Sequence, residues 1–272
     1  ENGYKYNSIL EDSPVTISLS DSESWSPKNY SRDYIGKTTL TDSMRLSINT
    51  IPVKLSENIG REKVISTARK LGLYNNLNNT PAVSLGTSEH TLLEVTGAYA
   101  SILNSGNYIK PHGIKELRLK DSGEPLMRKS PKLEEKILTQ ETSEQLIYMM
   151  YRTIQDGTGI RAKISNLEAA GKTGTTQDQR DAWFIGFTSN YIVGVWLGND
   201  YNEPLLGITG GGLPAEIWKE IILNISKGSL RGPLPMIRPE YQPSVKNGVY
   251  SERDIKKNFN IFRSLKNLLN RQ

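Results

Sequence analysis

The chain has 272 residues, 36% of them apolar and 23% charged, which is enough for one large domain or two small ones around a sizeable core and excludes a disordered or fibrous class. It has no cysteine and only two histidines, so disulfide scaffolds, zinc-thiolate sites, thiol nucleophiles and three-histidine metal sites are all excluded. The net charge is +5, but Ser251–Gln272 alone carries +4, leaving +1 for the other 250 residues. The folded body therefore lacks the basic face that a nucleic-acid groove requires.

Residues 1–37 are polar, rich in Ser, Asp and Tyr, and read as loop with short extended pieces around Pro14 and Pro27. Thr39-Leu40-Thr41-Asp42 is a near capping box and opens a helix that stops near Leu46. Residues 61–72 carry Val64, Ile65, Ala68 and Leu71 at helical spacing, with Gly72 as the stop. Residues 89–104 repeat that pattern, with Ser88 as cap and Gly106 at the end. In residues 143–155 Thr142 is the expected cap, and Leu146, Met149, Met150 and Thr153 form the buried stripe.

The periodicity then changes to strands. Ala169–Thr175 is short and rich in small residues. Ala182–Phe187 and Tyr191–Leu197 are aromatic and β-branched, joined by Thr188-Ser189-Asn190 as in a hairpin. Tyr191–Leu197 is also the longest apolar run, about a third of a membrane span, so no transmembrane helix is expected. After the Gly210–Gly212 loop, Pro214 suits the first turn of a helix running through Leu223. Four prolines between 228 and 248 indicate a linker outside the core. Beyond it, Phe259, Phe262, Leu265 and Leu269 share a face with basic residues elsewhere. That pattern fits a weakly docked terminal helix, or one that binds a partner or a membrane surface. The expected domains are thus 1–227 and a Pro-rich linker with basic tail, 228–272. The chain begins at Glu1 without Met, which reads as mid-protein.

Gly171-Lys172-Thr173-Gly174-Thr175-Thr176 is the sharpest local feature. A strand of small residues lets backbone approach a ligand, threonine hydroxyls can grip a carboxylate, and an ammonium raises the local potential. An edge strand with a solvated lysine would read the same way. A phosphate loop is rejected, because Asn166 stands where its first glycine belongs and strands rather than a helix follow. Ser-x-Asn occurs at Ser47, Ser56 and Ser105. The last two sit where helix edges are expected and capping accounts for them. Ser47 lies where a helix signal breaks, and a loop there could aim Ser47 and Asn49 at a cleft or be a plain connection. His90 and His112 lack a nucleophile partner in sequence and read as structural or solvated.

Ala170-Gly171-Lys172-Thr173-Gly174-Thr175-Thr176-Gln177 followed by Asp181-Ala182-Trp183-Phe184-Ile185-Gly186-Phe187 closely resembles the transpeptidase domain of class A, bifunctional penicillin-binding proteins. Trp25–Tyr30, Ser47–Val53, Leu85–Glu89, Thr96–Ala100, Lys110–Ile114, Gly157–Gly159 and Leu213–Trp218 resemble the same family in the same order, over about residues 10–225. The resemblance implies an α+β fold: an antiparallel sheet flanked by helices with a helical lobe, incomplete at its N-terminus. It implies a serine D,D-transpeptidase that cross-links peptidoglycan stem peptides by acyl transfer and binds β-lactams, without metal or cofactor, at the outer face of the cytoplasmic membrane. Carried over, Ser47 relays a proton, Asn49 holds the acyl-side amide, and Lys172 supplies positive charge. Thr173, Gly174 and Thr175 bind substrate, with the Thr175 N–H as an oxyanion donor.

One family motif is missing: no Ser is followed three residues later by Lys. The chain therefore reads as the later part of such a domain, inactive alone, with the nucleophile, membrane anchor and glycosyltransferase in an absent N-terminal part. The alternative is a non-catalytic remnant or wall-binding module.

Overall fold

A computed structural model describes residues 2–20, 22–75, 77–129, 135–226 and 232–239. In chain order the elements are β1 (Ile9–Asp12), β2 (Ile17–Ser18), β3 (Ser24–Trp25), β4 (Gly36–Thr39), α1 (Leu40–Leu46), α2 (Thr50–Ile59), α3 (Arg61–Lys70) and α4 (Leu92–Leu103). There follow β5 (Glu116–Arg118), β6 (Pro125–Arg128), α5 (Gln140–Asp156), β7 (Ala170–Thr175), β8 (Ala182–Phe187), β9 (Ile192–Leu197) and α6 (Leu213–Ile225). The fold is α+β, and every described strand pairing is antiparallel.

The central sheet has the order β7-β8-β9, with Lys172 opposite Ile185 and Ile185 opposite Gly194. Alternation sends Ala170, Lys172, Ile185 and Phe187 to one face, and Thr173, Phe184 and Val195 to the other. The first face is covered by α5, whose Ile147 and Met150 pack on Ala170 and Phe187. It is also covered by α4 at Gly194, where an added Cβ would meet Thr96 Oγ1 at 2.3 Å and Leu92 Cδ1 at 2.8 Å. The second face carries α6. Trp218 stacks edge-on to Phe184 with ring centroids 5.4 Å apart, and its indole N–H donates to the Gly186 carbonyl at 3.0 Å. That close approach requires glycine at 186, since a Cβ would lie 2.9 Å from the Trp218 ring.

The strand and α6 expectations hold to within two residues. Helix starts and caps differ: α4 starts at Leu92 on a Thr91–Glu94 capping box, not on Ser88, and α5 starts at Gln140 with Thr139 rather than Thr142 as cap. In both, the true cap lies where threonine Oγ meets the N–H three residues on. The helix α2 was not expected. Its Pro52 falls in the first turn, where the missing N–H costs nothing, and Thr50, Ile51 and Val53 are buried.

The segment 232–239, expected as linker clear of the core, is instead packed onto it. Leu234 and Met236 are buried against Ile147, Met150 and Phe187. Arg238 grips both oxygens of Glu168 at 2.6 and 2.8 Å. The prolines rigidify this strap without keeping its alternating apolar residues off the body. The expected terminal helix at 251–272 lies outside the described residues. No described helix is long and apolar enough to cross a membrane.

Candidate active site

The link between α1 and α2 is the tripeptide Ser47-Ile48-Asn49. Ser47 closes α1 in the left-handed region (φ 57°, ψ 47°), with its N–H on the Met44 carbonyl and that of Ile48 on Ser43. A non-glycine residue held there is uncommon and persists only when its surroundings fix it. The conformation ends the helix and turns the Ser47 hydroxyl toward the sheet, where Lys172 Nζ of β7 donates to Ser47 Oγ at 2.8 Å across 125 residues of sequence. The same ammonium donates to the Thr173 carbonyl at 3.0 Å. Burial of this lysine disfavours the charged form and pushes its pKa down to about 8 from the ordinary 10.5.

Thr173 points to the opposite face, where its hydroxyl pairs with Thr158 Oγ1 at 2.8 Å. Thr158 in turn donates its N–H to the carbonyl of Arg45, two residues before Ser47. The contact is close because residue 157 is glycine: a Cβ there would stand 2.4 Å from the Arg45 oxygen. Arg45 donates to Asp42 Oδ1 at 2.6 Å and to the Asp156 carbonyl at 3.0 Å, tying the end of α1 to the end of α5. At the far end of β7, Thr175 Oγ1 accepts the Gly210 N–H at 3.0 Å. A Cβ on Gly210 would lie 2.4 Å from the Gly174 carbonyl, so the glycine loop lies directly against the strand.

Of the residues singled out in the sequence, Ser47 and Lys172 are in contact, and Thr173, Gly174 and Thr175 continue the same strand. Asn49 sits on the same loop, with its side-chain NH2 held on the Lys28 carbonyl at 2.8 Å and its N–H on Asn29 Oδ1 at 2.9 Å. Ser56 is not at a helix edge but inside α2, 1% exposed, its hydroxyl buried without a hydrogen-bond partner among the described residues. Ser105 lies in the turn after α4 at φ 57°. The ring nitrogens of His90 are likewise buried without a hydrogen-bond partner among the described residues, while His112 is exposed with Nδ1 at 3.4 Å from the Lys110 carbonyl. No cluster of three or more His, Asp or Glu residues suited to a metal occurs among the described residues.

Sequence reasoning missed the support beneath the loop. Asp12, 1% exposed, accepts from Asn29 Nδ2 at 3.0 and 3.1 Å, from the Ile35 N–H at 2.9 Å and from the Thr50 hydroxyl at 2.5 Å. The only hint lay in Trp25–Tyr30, whose polar residues carry no periodic signal.

Chemically, a desolvated ammonium bonded to a serine hydroxyl, beside a strand of threonine hydroxyls, can pass a proton through the hydroxyl and hold an anionic group.

Residues 1–223 match the family described as the penicillin binding protein transpeptidase domain. Penicillin-binding protein 1A of Aquifex aeolicus is 38% identical over 200 residues, covering 73% of this chain and 27% of that protein. Penicillin-binding protein 1B of Vibrio cholerae is 32% identical over 212 residues, covering 76% of this chain and 27% of that protein. The chain thus spans little more than a quarter of the length of these relatives. Among solved structures, penicillin-binding protein 1A from Haemophilus influenzae superposes with a TM-score of 0.78 at 22% identity, covering 89% of this chain and 41% of that one. The PonA1 protein from Mycobacterium tuberculosis in complex with penicillin V gives 0.73 at 21% identity, covering 92% of this chain and 69% of that one. At these identities the structures report shared fold alone.

Proposed function

Because the chain belongs to the penicillin-binding protein transpeptidase family, we propose that it supplies the Ser-x-Asn and Lys-Thr-Gly part of a peptidoglycan D,D-transpeptidase of the class A kind. The observation that carries this reading is the 2.8 Å bond from Lys172 Nζ to Ser47 Oγ. It joins two weak sequence signals into one proton-handling pair on a strand suited to a carboxylate.

In the proposed reaction a serine from a Ser-x-x-Lys segment, which this chain does not contain, attacks the penultimate D-alanine carbonyl of a stem peptide. A C–O bond forms, the C–N bond to the terminal D-alanine breaks, and the leaving amine takes up a proton. Ser47 relays that proton, with the Lys172 ammonium beside it stabilising the negative charge that passes through. The amine of a second stem then attacks the ester, forms the cross-link, and returns a proton to the serine. Asn49 holds the acyl-side amide, and Thr173 and Thr175 hydrogen-bond the terminal carboxylate. The Thr175 N–H is one of two oxyanion donors, a contribution on the order of 3 kcal/mol to the barrier reduction. β-Lactams enter as mimics of the D-Ala-D-Ala end, and the setting is the cell envelope. A wall-binding remnant would have no need for a lysine desolvated against a serine, and that disfavours it.

Labelled penicillin tests the reading. The chain alone should form no covalent adduct, and the chain joined to a segment bearing Ser-x-x-Lys should acquire one on that serine. An adduct on any serine of the chain alone, or none on the joined protein, would overturn it.

A further inference from the structure

The buried Asp12–Asn29 pair has no part in the chemistry above, yet it reaches the site. The Asp12 carboxylate, on β1, accepts two bonds from the Asn29 amide, one from the Ile35 N–H and one from the Thr50 hydroxyl at the start of α2. Asn29 Nδ2 also donates to the Asp33 carbonyl at 3.0 Å, so its NH2 end is fully used and its oxygen end is forced to face the other way. That oxygen accepts the Asn49 N–H at 2.9 Å, and the adjacent Lys28 carbonyl accepts the Asn49 side chain at 2.8 Å. Both nitrogens of Asn49 are therefore fixed by consecutive residues of one segment. Ser47, two residues before, is the left-handed residue whose hydroxyl meets Lys172.

We propose that Asn29, oriented by Asp12, is a positioning residue that holds the Ser47–Asn49 loop in the conformation bringing Ser47 to Lys172. The significance for catalysis rests on the function proposed above; the positioning itself does not. A carboxylate that accepts from three donor groups, Asn29 Nδ2, the Ile35 N–H and the Thr50 hydroxyl, is a rigid reference point, because moving it would leave buried oxygens short of partners. Anchoring the loop from α2 and from residues 28–29 supports a backbone conformation that Ser47 would otherwise leave.

Nuclear magnetic resonance on the chain itself tests this. In the wild type, the Asn49 amide should exchange at least 100-fold more slowly than exposed loop amides. A cross-peak should connect Lys172 Hε with Ser47 Hβ. In Asn29→Ala, Asn49 exchange should accelerate at least 30-fold and the cross-peak should vanish, while amides of β8 stay within threefold. Arg238→Ala removes an ion pair elsewhere and should keep the cross-peak. Exchanging the two groups in Asp12→Asn/Asn29→Asp retains one donor and one acceptor across the pair, and should bring Asn49 exchange back to within tenfold of wild type. Where Asn29→Ala does not fold, Asn29→Ser takes its place in the same comparison. A wild-type Asn49 amide that exchanges like an exposed loop overturns the proposal. So does an Asn29 variant that keeps the cross-peak, or one that accelerates β8 as much as Asn49. These readouts need no acylation, so they stand apart from the penicillin test: a joined protein that fails to acylate with the cross-peak intact counts against the function, not the positioning.

Discussion

Gly157→Ala isolates how the ends of α1 and α5 are held together beside the site. Residue 157 is in extended backbone (φ −119°, ψ −158°), which alanine adopts freely, so any cost is steric rather than conformational. The added methyl would sit 2.4 Å from the Arg45 oxygen and 2.9 Å from the Thr153 Cα and carbonyl oxygen, all backbone atoms. Ordinary contact is about 3.5 Å, so the end of α1 must retreat by about 1 Å from α5. Overpacking of this kind costs about 1–3 kcal/mol. The retreat also breaks the 3.0 Å bond from the Thr158 N–H to Arg45, adding about 1 kcal/mol. The sum, about 2–4 kcal/mol, is a large share of the ~5–15 kcal/mol that stabilises a domain. Urea unfolding should show a lowered midpoint with an unchanged slope. Gly113→Ala is the control: beyond its chain neighbours no atom of the described residues lies within 4 Å of its Cβ position, and it should stay within about 0.5 kcal/mol of wild type. If the two variants unfold at the same midpoint, the contact between α1 and α5 is not what residue 157 is glycine for.

Lys172 titrates near 8 in the fold and near its ordinary 10.5 when unfolded, so the unfolded chain binds the extra proton between those values. Stability should therefore rise with pH from about 8 to about 10.5, and Lys172→Met should lack that rise in a series of denaturation curves; a fall of the wild type relative to the variant would contradict the desolvation argument. Phe184→Ala removes a fully buried ring from the Trp218 contact and should cost about 3–5 kcal/mol by thermal or chemical unfolding, a loss below 1 kcal/mol being incompatible with the packing described. Leu234→Ala should cost about 2–4 kcal/mol, since that side chain is 3% exposed. Arg238→Ala, whose ion pair is half in solvent, should cost no more than about 1 kcal/mol, and equal losses for the two would mean that the strap is held by charge rather than by burial.

Much of the sheet was legible because its strands are locally unambiguous. Ala182–Phe187 and Ile192–Leu197 are dense in β-branched and aromatic residues around a three-residue turn signal, and the structure pairs them consecutively. Pro214 and Gly72 marked a helix start and a helix end through backbone constraints that need no tertiary partner. The Thr91 and Thr139 caps were displaced by three residues because several Ser and Thr candidates stand in a row at each start, and only the packed position of the helix selects one. Helix α2 was hidden because its amphipathic face is interrupted by Pro52 and begins with a polar Thr50 that is buried only because Asp12 accepts its hydroxyl. The strap at 232–239 was misread for a related reason: proline content records backbone stiffness, whereas burial of Leu234 and Met236 depends on a groove made by α5 and β8.

The site divides along the same line. Sequence determined which residue types are present: the Lys172-Thr173-Gly174-Thr175 strand and a serine two residues before Asn49. It left open whether Ser47 was a site residue or a plain connection, because 125 residues separate it from Lys172 and neither carries a local signal of the other. Only the tertiary structure brings Ser47 to Lys172, by ending α1 in a left-handed residue, packing α1 against α5 through Gly157, and holding Asn49 against the buried Asp12–Asn29 pair. A hydrogen bond between distant side chains depends on the relative placement of whole elements. That placement is set by burial and backbone contact summed over the fold, which no window of sequence contains.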